Sequence, residues 1–110
     1  MMLTIRICDD FSEVPGGRFI KEGNHSGEQF RDEILIKKYE EAEKSDDTLE
    51  IDFDGTYGFG TSFLEEAFGG LVRKYKKRGV WQHLRIISTE DETIPDNIKK
   101  YIVEAEKGLR

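Results

Sequence analysis

Only one cysteine, Cys8, is present in the 110 residues, so no internal disulfide can form and a reducing, cytosolic setting is expected. No apolar run approaches the roughly 18 residues of a membrane span, and the N-terminus has no positively charged segment leading into an apolar run and a cleavage site. A soluble protein without a membrane role is expected. Basic charge is also scarce. The 17 Lys plus Arg face 23 Asp plus Glu, a net charge of -6, so no diffuse positive field draws the chain to nucleic acid. The two histidines, His25 and His83, lie far apart without companion cysteines, so metal-ligand spacing is missing and no cofactor is expected. A chain this short supplies one hydrophobic core and not two. Residues 1–110 therefore read as a single domain, without linker or internal repeat.

Strand and helix periods are clear in what remains. Leu3, Ile5 and Ile7 alternate with polar neighbours, as do Leu49, Ile51 and Phe53, and both runs read as strands with one wet face. Leu84–Ser88 reads as a further strand, and Arg18-Phe19-Ile20, after the turn residues Pro15-Gly16-Gly17, as a short one. Ser26 is placed to cap a helix whose stripe is Phe30, Ile34, Leu35, Tyr39 and Ala42. A second stripe, Leu64, Ala67, Phe68, Leu71, Val72 and Tyr75, begins near Ser62. Thr93 is expected to cap the last helix, with Pro95 in its first turn. The predicted order is β-β-α-β-α-β-α, giving a mixed four-stranded sheet with three helices mainly on one face, an α/β sandwich of two layers.

Between the third strand and the second helix lies Gly55-Thr56-Tyr57-Gly58-Phe59-Gly60-Thr61-Ser62. The glycines permit positive φ and close backbone approach, and Thr61 or Ser62 is placed to cap the helix. Helical geometry turns Phe63 and Gly70 to the flank of the stripe, which predicts a partly exposed Phe63. Gly69-Gly70 inside a helix costs about 1 kcal/mol per glycine relative to alanine, so a close approach is expected there. Tight packing on the first or last helix is one source; a partner docking beside Phe63 is the other.

Asp52-Phe53-Asp54-Gly55, five residues, then Thr61-Ser62-Phe63-Leu64 resembles the phosphorylation segment of STAS domains, the family of sulphate transporters and anti-sigma factor antagonists. The resemblance puts the phosphoacceptor on Thr61 and the second hydroxyl on Ser62. Gly60 stands where the family has Asp, and Phe63 where it has a small residue. Arg18-Phe19, Ser26-Gly27-Glu28-Gln29-Phe30-Arg31 and the run Gly58–Leu71 are similar to a STAS-like branch of unknown function. This resemblance implies a small, non-enzymatic, prokaryotic, cytoplasmic regulatory module. Its partner would be a protein, such as an anti-sigma-type ATPase kinase, met through Gly58, Phe59, Gly60, Phe63, Glu66 and Gly70. A phosphate there would make the surface strongly anionic and expel a partner with an uncharged or acidic rim.

Two other readings use the same residues. The glycine loop at a helix N-terminus suits a small anion or nucleotide, although no lysine follows it as in a P-loop. Asp9, Asp10 and Asp54 after strand ends, with Ser88-Thr89 after another, suggest a receiver-like Mg²⁺ site. The sequence sets neither the partner nor the oligomeric state.

Overall fold

Three parallel strands, β1 (Leu3–Arg6), β2 (Leu49–Asp52) and β3 (Leu84–Ile87), lie in that spatial order, with Ile5 beside Ile51 and Ile51 beside Ile86. The computed structural model describes residues 3–109. Each strand is joined to the next through helix, as parallel pairing requires. The helices are α1 (Ile7–Asp10), α2 (27–44), α3 (61–75) and α4 (Ile94–Lys107), with single 3₁₀ turns at Ile20–Glu22 and Val80–His83.

Alternation sorts the strand residues as the period of two demands. Ile5, Leu49, Ile51 and Leu84 are buried against the helices. Thr4, Arg6 and Arg85 are exposed on the other face, with Glu50 and Asp52 half-buried between them. That face is an open, charged ladder, in which Arg6 lies 3.8 Å from Asp52 and Arg85 3.6 Å from Glu50. Exposed pairs of this kind contribute little stability. Their effect is to keep the open face wet.

The expected four-stranded mixed sheet is corrected to three parallel strands, and the expected three helices to four. Residues 18–20 are not a strand, because their backbone N–H groups find carboxylates instead of a neighbouring chain. Glu22 accepts from Arg18 N and Phe19 N (3.2 and 2.8 Å), and Glu28 accepts from Ile20 N (2.9 Å). The carbonyls of Gly17 and Arg18 take the N–H groups of Gly27 and Glu28. The segment is thereby folded over the start of α2. At the end of β1 the chain turns into α1, where the Asp10 carboxylate accepts from Arg6 N at 2.8 Å.

Helix α3 occupies the middle of the helical layer, packed against both α2 and α4. Its Phe63, Leu64, Ala67, Phe68, Leu71 and Val72 are all buried. The stripe is wide because neighbours press from two sides as well as from the sheet. Both α2 and α3 contain one π turn, at Arg31–Leu35 and Glu65–Gly69, and the two turns touch. Insertions of this kind recur at functional positions in helices.

Candidate functional site

The loop from Phe53 to Gly60 leaves the C-terminal end of β2, the edge at which open α/β sheets place their ligands. Thr56 Oγ1 donates to the Phe53 carbonyl at 3.0 Å, and Gly55 and Gly58 take positive φ (89° and 133°), which lets the chain double back without strain. Tyr57 N donates to the Glu13 carbonyl at 2.8 Å. That bond ties the loop to the segment after α1 and leaves the Tyr57 ring 84% exposed, with Val14 60% exposed on the same side.

Helix α3 begins at Thr61, and its N-cap is Gly60, with extended backbone and no side-chain cap hydrogen bond. Capping by Thr61 or Ser62 is therefore corrected: the two residues occupy the first helical positions, and both are exposed. Without a capping side chain, the first N–H groups of the helix remain available to solvent or to a bound oxygen. Ser26 does cap α2, accepting from Gln29 N at 3.0 Å. Thr93 does not cap α4, because its hydroxyl donates to Asp91 Oδ1 at 2.6 Å.

Phe63 is fully buried, so its expected role as an exposed docking anchor is withdrawn. Its ring lies 5.9 Å from Phe30, 5.5 Å from Phe59 and 6.2 Å from Phe11, the centre of an aromatic cluster. Glu66 is 8% exposed and bound to Arg31 in an ion pair between the facing π turns. Arg18 reaches the same carboxylate at 3.3 Å and Glu65 at 2.6 Å, while Arg73 binds Glu65 at 2.7 Å. The Arg73 hydrogen bond, helped by Arg18 and opposed by burial, holds the Glu65 carboxyl below its ordinary range. A Cβ on Gly70 would stand 2.5 Å from Arg31 Nη1. The close approach that Gly70 permits is thus made by α2, and neither Glu66 nor Gly70 offers a surface to a partner. Gly58 and Gly60 are exposed and Phe59 is half-buried.

Asp54 is a structural acceptor. Its carboxylate receives Thr89 Oγ1 (2.6 Å), Thr89 N (2.9 Å) and Glu90 N (3.0 Å), and the Thr89 hydroxyl bond foremost holds its pKa low. Glu90 returns the connection by accepting from Gly55 N at 2.7 Å. The 53–60 and 88–93 loops are laced together by these bonds, which sequence reasoning missed although Asp54 and Thr89 both stand out at strand ends. Among the described residues no three His, Cys, Asp or Glu side chains gather to hold a metal, so the receiver-like arrangement does not assemble. His83 Nδ1 lies 3.2 Å from the Asp47 carbonyl, and the His25 ring stands edge-on to Phe11.

Between the two laced loops runs a groove of about 280 Å³, floored by Phe53, Phe59 and Ile94, with Tyr57 on one rim and Glu90 and Asp91 on the other. No basic residue lines it. The 53–60 and 88–93 loops, which leave the C-terminal ends of β2 and β3, contain no Lys or Arg, whereas the connection after β1 carries Arg18 and Lys21. Asp9 and Asp10 close α1 and Glu13 follows it, Asp54 lies in the 53–60 loop, and Glu90, Asp91 and Glu92 lie in the 88–93 loop. A wider concavity of about 560 Å³ at the far end of α3 is lined by Arg73, Lys76 and Glu104. No described helix is long and apolar enough to cross a membrane.

A parallel sheet covered by helices on one face and open on the other, with a hydroxyl-bearing turn at the start of the central helix, defines a STAS-like α/β domain. The chain belongs to the family described as STAS-like domain of unknown function (DUF4325), whose model matches residues 26–93. The matched stretch contains α2, β2, the glycine loop, α3 and β3. No curated protein and no solved structure matches the chain.

Proposed function

We propose that the protein is a non-enzymatic regulatory module that binds a protein partner through the 56–62 loop and is switched by phosphorylation at Thr61 or Ser62. The observation that carries this reading is the state of the two hydroxyls: both residues are exposed at the first turn of a helix that neither of them caps. A phosphate there adds a charge of about -1.5 to -2 beside free backbone N–H groups that accept it. Cap geometry would not be lost by the modification, so the fold survives it. Tyr57, largely exposed in the loop that leads to these hydroxyls, supplies the kind of aromatic surface that anchors partners.

The acidic loops favour a protein partner over a small anion or nucleotide, since Asp54, Glu90 and Asp91 stand around the loop without a basic group in the groove. In the cytoplasm the partner would be an ATPase kinase of the anti-sigma type, the partner class that the STAS resemblance implies. Calorimetric titration tests the switch, using such a kinase encoded beside the protein and comparing wild type with the Thr61→Glu, Ser62→Glu double variant. The two forms should differ at least tenfold in affinity, about 1.4 kcal/mol. Equal affinities would remove the switch from this account.

A further inference from the structure

We infer that the groove between the 53–60 and 88–93 loops receives an apolar side chain from a partner segment that carries Lys or Arg on both sides of that anchor. This deepens, and rests on, the reading of the loop as a partner-binding element. Three observations bear on the chemistry of the occupant. The floor is apolar: Phe53 and Ile94 are 3% and 4% exposed, and the Phe59 ring stands edge-on to Phe53 at 4.8 Å. The volume of about 280 Å³ falls just below the roughly 300–1,000 Å³ of small-molecule pockets, so it suits one side chain better than a cofactor. The rim is acidic and unneutralised. Glu90 and Asp91 line it, Glu92 follows them, and none of the three takes part in an ion pair among the described residues.

Of the cations nearest in sequence to this edge, Arg6 and Arg18 are already committed to carboxylates, and Lys21 lies 5.7 Å from the centre of the Phe19 ring, outside the lining of the groove. Arg6 binds Asp9 at 3.0 Å, and Arg18 binds Glu65 and Glu66. Lys76, Lys77 and Arg78 follow the C-terminal end of α3, at the opposite edge of the sheet. The molecule therefore presents a negative edge to an approaching chain, and such a field steers and orients a cationic segment. Tyr57, at the mouth, can also stack against an arginine or lysine head group. A phosphate on Thr61 or Ser62, at the foot of the same loop, adds charge of the attractive sign. Modification should then tighten a basic partner, whereas it would expel an acidic or neutral one.

The test is selection of a random nonapeptide library on the full chain, followed by titration of the selected peptides while amide resonances are recorded. Enriched peptides should place an aromatic residue or leucine between Lys and Arg, and shift changes should fall on Tyr57, Phe59 and residues 88–94. Affinity should drop at least tenfold in the triple variant Glu90→Gln, Asp91→Asn, Glu92→Gln and in Tyr57→Ala. The triple variant keeps its loop bonds, because the amide oxygens that replace the Glu90 and Asp91 carboxylates still accept from Gly55 N and Thr93 N.

The Thr61→Glu, Ser62→Glu form should bind the same peptides about two- to fivefold more tightly, in keeping with exposed charge pairs. Raising salt from about 50 to 300 mM should weaken all of these complexes, as screening requires. Selected peptides without Lys or Arg, equal binding by the triple variant, or shift changes confined to residues 73–78 would each overturn the assignment. The outcome is separable from the switch itself: a chain that changes kinase affinity on modification yet selects acidic peptides loses the groove assignment alone.

Discussion

Arg31 and Glu66 meet across the two facing π turns as an ion pair whose side chains are only 9% and 11% exposed. Removing one partner of such a pair leaves a charge without compensation in a poorly hydrated place. Arg31→Met should therefore cost about 3 kcal/mol, the low end for a broken buried pair, because Arg18 remains 3.3 Å from Glu66. The double variant Arg31→Met, Glu66→Leu should recover part of that loss. Urea unfolding of the single and double variants checks both statements.

Glycines at the same interface should respond unequally to alanine. At Gly70 the added Cβ would meet the guanidinium of Arg31, the end of a long side chain that can shift, whereas at Gly27 it would stand 2.5 Å from the Phe63 carbonyl oxygen. Gly27→Ala should cost about 1–3 kcal/mol, as overpacking does. Gly70→Ala should cost less, since part of the clash is offset by a helix propensity gain of about 1 kcal/mol. Denaturation midpoints of the two variants give the order directly.

Burial separates the aromatic residues of the loop from those of the helix. Phe63→Ala should destabilise the fold by about 3–5 kcal/mol, the usual loss for a buried phenylalanine. Tyr57→Ala should stay within about 0.5 kcal/mol of wild type, because its ring is 84% exposed. Ser26→Ala should cost about 1 kcal/mol through its lost cap, while Thr61→Ala and Ser62→Ala should cost almost nothing. Thermal melts of the set would expose a hidden capping role as a loss at Thr61 or Ser62 comparable to that at Ser26.

Acid should loosen the two laced loops in a defined direction. The Thr89 hydroxyl and the Glu90 and Thr89 amides hold the Asp54 carboxyl below its ordinary value, so its folded pKa is lower than its unfolded one. The stabilisation is then present above the unfolded value, about 3.9, and is lost as pH falls through the folded value. Amide resonances of Thr89 and Glu90 should titrate with a midpoint below about 3.9, and Asp54→Asn should abolish that step. A midpoint at or above the ordinary carboxylate value would show that the lacing does not hold the charged form.

Much of the fold is legible in the sequence because the signals are local. Alternation at Leu3–Ile5, Leu49–Phe53 and Leu84–Ile86 identifies the strands and their open face, and Ser26 marks the start of α2. Segment 18–20 misleads because its hydrogen-bond partners are the Glu22 and Glu28 carboxylates, and nothing in so short a run as Arg18-Phe19-Ile20 distinguishes them from a neighbouring strand. Phe63 misleads because a single helical stripe implies one buried side, whereas α3 is pressed by α2 and α4 as well as by the sheet. The glycine pair does mark a place of close approach, and Arg31 is what approaches Gly70. The groove requires the Asp54 to Thr89 lacing, a contact between residues 35 apart, which no local pattern announces.

Intact-mass and fragment mass spectrometry, after incubation with ATP and an anti-sigma-type kinase of the proposed partner class, tests the central claim most directly. Wild type should gain one phosphate on Thr61 or, failing that, on Ser62, and the Thr61→Ala, Ser62→Ala double variant should gain none while unfolding at the same denaturant concentration. Phosphate on the double variant, or none on wild type while the kinase binds it tightly in every nucleotide state, would contradict the account.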